Sequence, residues 1–573
     1  HLNFVRTKMK NFEVSTWKPA PRYVHPANLG FAGNLVWDQP PPKPKANISL
    51  IPYGTGAYSI EHPRNEETFE PEQKTTDWTH NVGLDAKIGL TPSLNLDLTV
   101  NPDFSQVEVD RQVANLSRFE LFFPETRQFF LENSDLFAFF GFPESRPFFS
   151  RRIGLAYDPV LRTNVKVPIQ AGARISGKLN DNWRVGLLNM QTRRLVFDTD
   201  NALPAANFTA VSLQRRVFER SAISAIFVNK ENFLSSVSEA QRDGHDAYNR
   251  VAGLEYNLYS KDNRWEGEWY YHRSFSPDKD KRGQSFASFL GYNDRSFAAR
   301  LGLNHVGKTY AAEAGFVPRK GFTGVFLGGE KFFYPKKGWG SRKLSQWGIG
   351  LELNSVLDID FKETDRETNL SAFLTFNDQA YLNFSLYQAY NFLFGEFDPT
   401  NLLRAPGEMI TPLPVNTDYT YSGVSLEYGT GTSDDWQGNI ALNAGQFFNG
   451  NRWTAEGAIA YRWQPIGLFS LLFSYNDIRL PAPYPSADFY LLGGKADFSF
   501  TRNIFLTAFL QYNTQANNFN LNARFQWRFA PVSDVFLVYT SNTFAEAIPN
   551  STVEAFAPKN KALVFKIVYW LNL

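Results

Sequence analysis

The sequence predicts an all-β protein, a transmembrane antiparallel β-barrel of about 24 strands (roughly 22 to 26) with an internal plug-like insert. The first observation behind this prediction is composition: 53 Phe, 25 Tyr and 13 Trp make 16% of the 573 residues aromatic. The second is a mean hydropathy of −0.34, without the uninterrupted run of about 18 apolar residues that a transmembrane helix needs. The third is a series of short segments in which apolar and polar residues alternate. Together these features are typical of a membrane β-barrel.

The alternation begins at residue 48 and is clearest at residues 518–529. One face of this segment is apolar and carries Phe519, Leu521, Ala523, Phe525, Trp527 and Phe529. The other face is polar and carries Asn518, Asn520, Asn522, Arg524, Gln526 and Arg528. A tilted strand needs about 9 to 11 residues to cross a bilayer, and the alternating segments are at least that long. We therefore predict that the aromatic face meets lipid and that the polar face lines the lumen.

Proline usage and connection lengths indicate the domain organisation. Residues 19–47 are rich in proline, which favours an extended linker over a strand. We therefore predict that residues 1–46 precede the barrel as a linker and that residues 47–573 form it. An even number of strands places both chain ends on the periplasmic side. The longer connections are expected mostly at the outer rim, and they are residues 232–249, 395–418, 481–487 and 542–559. Because no basic and apolar leader opens the chain, we expect a secretory leader to have been removed.

Residues 101–152 interrupt the alternation and have a different character. They hold eleven phenylalanines between Phe119 and Phe149, yet basic and acidic residues are interspersed throughout. The charges exclude a helix that spans lipid, and the prolines exclude a regular strand. Rings that cannot stay in a water-filled pore must pack on protein, so we predict a folded insert inside the lumen.

The insert also supplies the candidate residues for control of the pore. These are Phe119, Phe122, Phe123, Arg127, Phe129, Phe130, Arg146, Arg151 and Arg152. Enclosed charges persist only when they are paired. We therefore expect the arginines of the insert to reach carboxylates on inward strand faces, such as Asp85, Asp97, Glu266 and Glu268.

Several long motifs resemble one family of bacterial outer-membrane proteins, the domain of unknown function 5916. They are NPDFSQVEVD at residues 101–110, FFPETRQFFLENSDLF at 122–137, FFSRRIG at 148–154 and EAGFVPRKGF at 313–322. The resemblance implies a location in the outer membrane of Gram-negative bacteria, notably Bacteroidetes. It also implies a preceding carbohydrate-binding-module-9-like domain, of which residues 1–17 would be the tail.

The final strand alternates and ends on large apolar residues, namely Phe565, Ile567, Tyr569, Leu571 and Leu573. This pattern resembles the signal that the outer-membrane assembly machinery reads, although Leu573 stands where Phe is usual. The expected partners are that machinery, outer-membrane lipid and lipopolysaccharide. Because 58 basic and 57 acidic residues nearly balance, nucleic acid is not an expected partner.

Catalytic and metal-binding patterns are weak. The chain has no cysteine, its seven histidines are scattered singly, and no hydrolase or nucleotide-binding motif occurs. We therefore predict neither an enzyme nor a cofactor. Asp103, Glu108 and Asp110 are candidate oxygen ligands for calcium. Pairing with lumen arginines is the favoured alternative, so no metal is predicted.

A barrel of this size encloses a lumen too wide for its own side chains to fill. One hypothesis is a porin-like channel or transporter for a large solute, such as a glycan or peptide, in which the insert narrows or gates the pore. A second is a non-catalytic scaffold in an outer-membrane secretion or assembly complex with other outer-membrane or periplasmic subunits, permanently sealed by the insert. A third, a barrel-embedded hydrolase, lacks a visible nucleophile and base. The composition of the insert does not distinguish a gate from a seal.

Overall fold

The computed structural model describes residues 2–8, 13–18, 32–39, 47–65, 67–103, 112, 118–158, 163–198, 200–242, 244–431 and 435–573. A closed antiparallel barrel of 24 strands dominates the structure, and the last strand resumes after a short break. The predicted fold class and strand number are therefore confirmed.

The first twelve strands are β1 (Ile48–Glu61), β2 (Thr75–Thr91), β3 (Leu94–Val100), β4 (Ile169–Lys178), β5 (Trp183–Thr192), β6 (Ala205–Val217), β7 (Ser221–Phe233), β8 (Tyr248–Tyr259), β9 (Trp265–Phe275), β10 (Gln284–Asn293), β11 (Phe297–Val306) and β12 (Phe322–Phe333). The other twelve are β13 (Leu344–Asp358), β14 (Glu363–Phe376), β15 (Tyr381–Leu393), β16 (Thr417–Gly429), β17 (Trp436–Phe447), β18 (Gly450–Trp463), β19 (Gly467–Arg479), β20 (Ala487–Thr501), β21 (Ile504–Asn513), β22 (Asn518–Ala530), β23 (Ser533–Thr543) and β24 (Pro558–Val568), which resumes at Leu571–Asn572.

Helices are short in the described part of the chain. They are α1 (Gln128–Leu131), α2 (Asp135–Ala138) and α3 (Gly338–Lys343), with single 3₁₀ turns at Ser150–Arg152, Leu234–Ser236, Ala240–Arg242 and Lys279–Lys281. Small two-stranded ribbons pair Val5–Lys8 with Glu13–Thr16, Leu155–Asp158 with Thr163–Lys166, and Leu195–Val196 with Ala202–Leu203. None of these described helices has the length and apolar character to span a bilayer.

The barrel closes between its first and last strands. β1 pairs with β2 on one side and with β24 on the other, and the amide of Leu573 donates to the Ile48 carbonyl at 2.9 Å. The chain therefore enters and leaves the wall at one end, here called the terminal end. The connections of residues 234–247, 394–416, 480–486 and 544–557 all lie at the opposite end, here called the loop end. In outer-membrane barrels short turns are periplasmic and long loops extracellular, so the terminal end corresponds to the periplasmic side.

The wall presents an apolar face outward. On β22, Phe525 and Trp527 expose 37% and 47% of their surface. Gln526 and Arg528, on the other face of the same strand, line a cavity inside the barrel together with Phe129 of the insert. The predicted register of this strand is therefore confirmed. Because an encircling apolar surface requires lipid around it, the protein is an outer-membrane β-barrel.

Outward aromatic side chains form pairs near both ends of the wall. Trp436 and Tyr461, near the terminal end, have ring centroids 4.6 Å apart, and the rings of Trp463 and Phe469 stack close by. Tyr58 and Trp78 form a similar pair at 4.9 Å near the loop end. These positions match the aromatic belts that sit at the two interfaces of a bilayer.

Candidate functional site: the insert and the inner wall

The insert, residues 101–152, leaves the wall at a fixed turn. β3 ends at Val100, and Asn101 then adopts a φ of 54°, a left-handed conformation that asparagine tolerates better than most residues. The Tyr53 hydroxyl donates to the Asn101 carbonyl at 2.6 Å. A Cβ on Gly83 would lie 2.0 Å from that hydroxyl, so only glycine allows this close approach. The first motif of the insert therefore redirects the chain from the wall into the lumen.

The insert contacts strands all around the barrel. Its wall partners include Lys566 of β24, Arg174 of β4, Arg184 of β5, Glu255 of β8, Asp365 of β14 and Gln511 of β21. A segment outside a closed wall cannot reach strands on opposite sides of it. The described part of the insert therefore lies within the lumen.

Three carboxylates in the described part of the insert pair with cations of the wall, and Asp103 does so with Lys566 of β24 at 3.3 Å. Glu132 pairs with Lys87 of β2, and the Arg174 side chain donates to the Glu132 carbonyl at 2.8 Å. Asp135, at the start of α2, forms an ion pair with Arg184 at 2.6 Å. The sequence predicted the reverse arrangement, in which cations of the insert meet carboxylates of the wall. The side chains of Glu132 and Asp135 remain more than one third exposed.

Two arginines of the insert, Arg127 and Arg152, find their carboxylates within the insert itself. Arg127 pairs with Glu125 at 2.7 Å, and Arg152 pairs with Glu120 at 2.7 Å. The Arg151 guanidinium donates to a backbone carbonyl of the insert, that of Pro124, at 3.2 Å. The expectation that these arginines reach the wall is therefore wrong for Arg127 and Arg152. Neighbours in a compact segment are held together already, so pairing between them costs less conformational entropy.

Of two further arginines, Arg118 meets the expectation and Arg146 does not. Arg118 does reach a wall carboxylate, Asp365 of β14, which it shares with Arg319. Glu144 and Glu268 act electrostatically on Arg146, and neither forms an ion pair with it. Two of the other carboxylates named from the sequence, Asp85 and Asp97, are engaged within the wall. Asp85 accepts from Thr99 at 2.5 Å and Asp97 pairs with Arg174 at 2.6 Å.

The Glu125 carboxylate joins the two ends of the insert's folded part. It accepts hydrogen bonds from the Arg127 guanidinium and from the Ser150 hydroxyl at 2.6 Å. The same guanidinium donates to the Ile153 carbonyl at 2.7 Å. Burial raises the pKa of Glu125, but the hydrogen bonds and the positive charge of Arg127 outweigh burial and bring the pKa below its ordinary value. The group is thus an anion that is fully compensated inside the insert.

Apolar packing fixes the insert against β5 to β8. The cluster contains Phe130, Leu136, Phe137, Phe140, Phe148 and Ile153 of the insert region with Leu188, Met190, Phe208, Ile226, Val228 and Val251 of the wall. Gly186 makes room for this contact, since a Cβ there would lie 2.6 Å from the Phe137 ring. Each buried large side chain contributes about 1.5–3 kcal/mol. An exposed ion pair contributes about 0–1 kcal/mol, so apolar packing is the main attachment.

A second aromatic cluster joins the insert to the connection after β11. The rings of Phe122 and Phe149 lie 5.0 Å apart, and both contact the Phe316 ring. The backbones of Arg146 and Phe316 exchange hydrogen bonds at 3.1 and 3.0 Å, and the Phe149 amide donates to the Ala314 carbonyl. The motifs at residues 148–154 and 313–322 are therefore two sides of one contact.

The other predicted pore residues contact guanidinium groups. Phe119 lies between Arg118 and Arg319, whose guanidinium carbons are 5.4 and 5.3 Å from the ring centroid. Arg151 lies 5.9 Å from the centroid of Phe123. The Phe129 ring is 5.1 Å from the Arg174 guanidinium. Whether these residues control a pore stays a prediction.

The metal candidates are only partly described. Asp103 pairs with Lys566 of β24 at 3.3 Å, while Glu108 and Asp110 lie outside the described residues. Within the described ranges, no group of three or more His, Asp and Glu side chains is arranged to hold a metal ion.

The five residues proposed as an assembly signal lie in and just after the closing strand. Phe565, Ile567 and Tyr569 expose 48%, 42% and 44% of their surface, on the outward face. Leu571 pairs with Leu50 of β1, and Leu573 follows it. Their recognition by the assembly machinery stays a prediction.

Sequence reasoning missed the wall residues that receive the insert. These are Lys87, Arg174, Arg184, Gly186 and the apolar inner residues of β5 to β8. A signal existed, since β7 is apolar on both faces: Ile226 and Val228 face the insert while Phe227 is exposed outward. Loss of alternation in a strand of this barrel indicates contact with the insert.

Cavities flank the insert at both ends of the lumen. A cavity of about 610 Å³ at the loop end is lined by Phe119 of the insert and by Phe394. Another of about 350 Å³, toward the terminal end, is lined by Phe129 of the insert and by Tyr53 of β1. The described insert thus stands between two open spaces.

These features define a class, the 24-stranded outer-membrane barrels with an internal folded insert. The chain belongs to the family described as domain of unknown function (DUF5916), whose model matches residues 44–419. No curated protein sequence matches the chain.

Among solved structures, the chain is similar to the siderophore receptor PirA from Pseudomonas aeruginosa, with 11% identity, a TM-score of 0.40, and coverage of 92% of this chain and 81% of that one. A variant of the ferric enterobactin receptor from Pseudomonas aeruginosa has 9% identity, a TM-score of 0.42, and coverage of 91% and 81%. OpdQ from Pseudomonas aeruginosa has 8% identity, a TM-score of 0.30, and coverage of 92% and 98%.

Proposed function

We propose that the protein is a plugged outer-membrane channel or transporter for a large solute, and that the insert controls passage. The observation that carries this proposal is a folded insert inside a 24-stranded lumen with a cavity at each end. Without the insert, a barrel of this size would hold an aqueous channel.

The two kinds of attachment suggest how passage is controlled. The ion pairs of Glu132 and Asp135 are partly exposed, so each contributes about 0–1 kcal/mol and is weakened by salt. The apolar cluster on β5 to β8 is worth more in total. A partial displacement of the insert that breaks the ion pairs and keeps the cluster is therefore less costly than ejection of the whole insert.

A glycan or peptide is the class of solute that we propose. The loop-end cavity would receive it first, and the Phe394 ring in that cavity exposes 55% of its surface. An exposed ring offers an apolar face to a sugar or to an aromatic side chain. Lys308 and Lys320 also line this cavity and would contact polar groups of the solute.

The test removes the two ion pairs while each wall cation keeps a polar partner, and Lys87 keeps Asp97 at 3.8 Å. In the double variant Glu132→Gln with Asp135→Asn, Arg174 keeps Asp97 and Arg184 keeps a hydrogen bond to Gln214. We expect higher conductance in planar bilayers and faster uptake of large antibiotics than in the parent protein. Raising the salt concentration should bring the parent toward the variant, because the Debye length falls to about 3 Å at 1 M.

A matched control removes a carboxylate that does not touch the wall. Glu120 pairs with Arg152 inside the insert, so Glu120→Gln should leave conductance unchanged. A double variant that folds normally and conducts no more than the parent would contradict the gating proposal.

The continuous apolar cluster favours the scaffold as a second candidate function, because such packing suits a permanent seal. The chain has no cysteine, so an introduced pair would be its only thiols. Asn133 donates to the Ser176 hydroxyl of β4 at 3.0 Å, and replacing both by cysteine would lock the insert to the wall. A pair at Asn189 and Asn207, which bond across β5 and β6, would serve as control.

If the insert gates the pore, oxidation of the first pair lowers solute uptake and reduction restores it, while the control pair has no effect. If the insert is a seal, conductance stays low whether the pair is oxidised or reduced. In either case we propose lipopolysaccharide and the outer-membrane assembly machinery as partners, with further outer-membrane or periplasmic subunits in the scaffold case. Nothing among the described residues favours the hydrolase.

A further inference from the structure

A third cavity lies between the insert and the inner wall. Its volume is about 290 Å³, near the lower end of the roughly 300–1,000 Å³ range of small-molecule sites. Six phenylalanines line it, namely Phe122, Phe130, Phe137, Phe139, Phe148 and Phe149. Such a lining favours a ligand with an apolar body. A water molecule occupies about 30 Å³. If each non-hydrogen atom of a ligand needs a similar volume, the cavity holds a body of roughly ten such atoms.

The charged groups around this cavity differ in what they already bind. Glu125 is compensated by Arg127 and by Ser150, as described above. The Arg174 guanidinium is held by Asp97 at 2.6 Å and by the Glu132 carbonyl. Neither group has a free charge to offer a ligand.

Arg146 is the exception among the charged residues that line the cavity. Its side chain makes no ion pair or hydrogen bond within the described residues, and its Nε is buried without a partner. The guanidinium lies 4.8 Å from the centroid of the Phe122 ring, at the edge of the cavity. Glu144 and Glu268 influence it only from beyond ion-pair distance. A half-buried guanidinium that pairs with no carboxylate and whose Nε is buried without a partner favours an incoming anion.

We propose that this cavity binds a monocarboxylic acid with an apolar body, of the fatty-acid type, with the carboxylate on Arg146 and the body among the phenylalanines. Such a ligand supplies the two features that the cavity lacks, one anionic group and apolar atoms to fill the space. The ligand is bound by the insert and is distinct from the transported solute. The inference therefore goes beyond the proposed function, and binding is measured without any transport assay.

The experiment uses the full chain in phospholipid vesicles and a photoreactive decanoic acid as the probe. Mass spectrometry would locate the crosslinks, and unlabelled decanoate or decanol would compete. We expect saturable labelling of residues that line the cavity, and competition by decanoate at a concentration about tenfold or more below that of decanol. Equal competition by acid and alcohol, or labelling that does not saturate, would overturn the proposal.

Two variants and a control sharpen this test. Arg146→Gln should make decanoate and decanol equally weak competitors, whereas Ala138→Trp, which fills the cavity, should abolish labelling by the probe. Arg152→Gln is the control, because that guanidinium binds Glu120 and the Gly315 carbonyl and does not line the cavity. Unchanged preference for the acid in the Arg146 variant would also overturn the proposal.

Discussion

The inner faces of two parts of the wall have opposite character. On β5 to β8 much of the inner face is an apolar cluster, as Met190 and Val228 illustrate, and the insert covers it. On β22 to β24 asparagines line the inner face and bond in a row: Asn520 donates to Asn542 at 2.6 Å, and Asn542 donates to Asn560 at 2.7 Å. Outward, both parts are apolar, with Phe227 and Phe525 exposed in a similar way.

The difference shows that lipid determines the polarity of only one face of each strand, the outward face. The outward face must be apolar everywhere, whereas the inner face follows what it meets in the lumen. Where the insert packs, the wall supplies apolar side chains. Where the wall must satisfy its own polar groups, the side chains bond across strands, because a buried polar group without a partner costs about 1–3 kcal/mol.

The largest expected effect concerns the contact between β1 and β24, which closes the barrel and on which both parts of the wall depend. Deleting residues 569–573 removes the pairing of Leu571–Asn572 with β1 and the hydrogen bond from Trp570 to Ser533 at 2.9 Å. It also leaves strand edges of β1 open, and open edges are not stable in lipid. We expect the truncated protein to remain unassembled in the periplasm, as measured by membrane fractionation. Normal outer-membrane levels of the truncated protein would show that the barrel closes without these residues.

A charge on the two inner faces should distinguish them directly. Val228 is 2% exposed among apolar neighbours, so Val228→Asp leaves a buried charge without a partner and should destabilise the protein by about 3–5 kcal/mol. Thr540 of β23 accepts a hydrogen bond from Asn522, and an aspartate can also accept it. Thr540→Asp should therefore cost less than about 1 kcal/mol. Denaturant titration in lipid vesicles measures both, and equal costs would contradict the contrast between the faces.

A charge on the outward face should instead have the same effect in both parts. Phe227→Arg on β7 and Phe525→Arg on β22 each place a cation against lipid. We expect each to cost about 2–4 kcal/mol if it lies near the bilayer midplane, and less near an interface. The same unfolding titration applies. A negligible cost for either variant would mean that this part of the wall does not face lipid.

The sequence predicted the fold where water and lipid act on alternate residues. Residues 518–529 alternate cleanly because Phe525 meets lipid and Gln526 faces the lumen, and this register is confirmed. The strand count followed from the same signal repeated along the chain. On β7 the signal fails, because Val228 meets the insert while Phe227 meets lipid, and both environments select apolar residues.

The contacts of the insert were less predictable for a different reason. The charged residues of 101–152 indicated pairing, but the partners depend on three-dimensional proximity that composition does not contain. Arg127 had a carboxylate two residues away, and this local pair replaced the predicted contact with the wall. The role of Gly186 was not predictable from the sequence either, because a glycine in a strand can have several structural reasons. Only the position of the Phe137 ring shows that the reason here is space for the insert.

The smallest expected effect comes from adding one methyl group under the insert. In Gly186→Ala the new Cβ would lie 2.6 Å from the Phe137 ring, so that ring must shift and the inner contact loosens. Overpacking of this kind costs about 1–3 kcal/mol. Gly493 of β20 is a matched control, since its nearest side-chain atom would be 3.4 Å from a new Cβ, an ordinary contact. Gly493→Ala should therefore change stability by less than about 0.5 kcal/mol. If the insert is seated as described, only the Gly186 variant lowers the denaturant midpoint and exposes residues 128–138 to limited proteolysis. Equal behaviour of the two alanine variants would mean that α2 does not press on β5, and the contrast between the two inner faces would lose its cause.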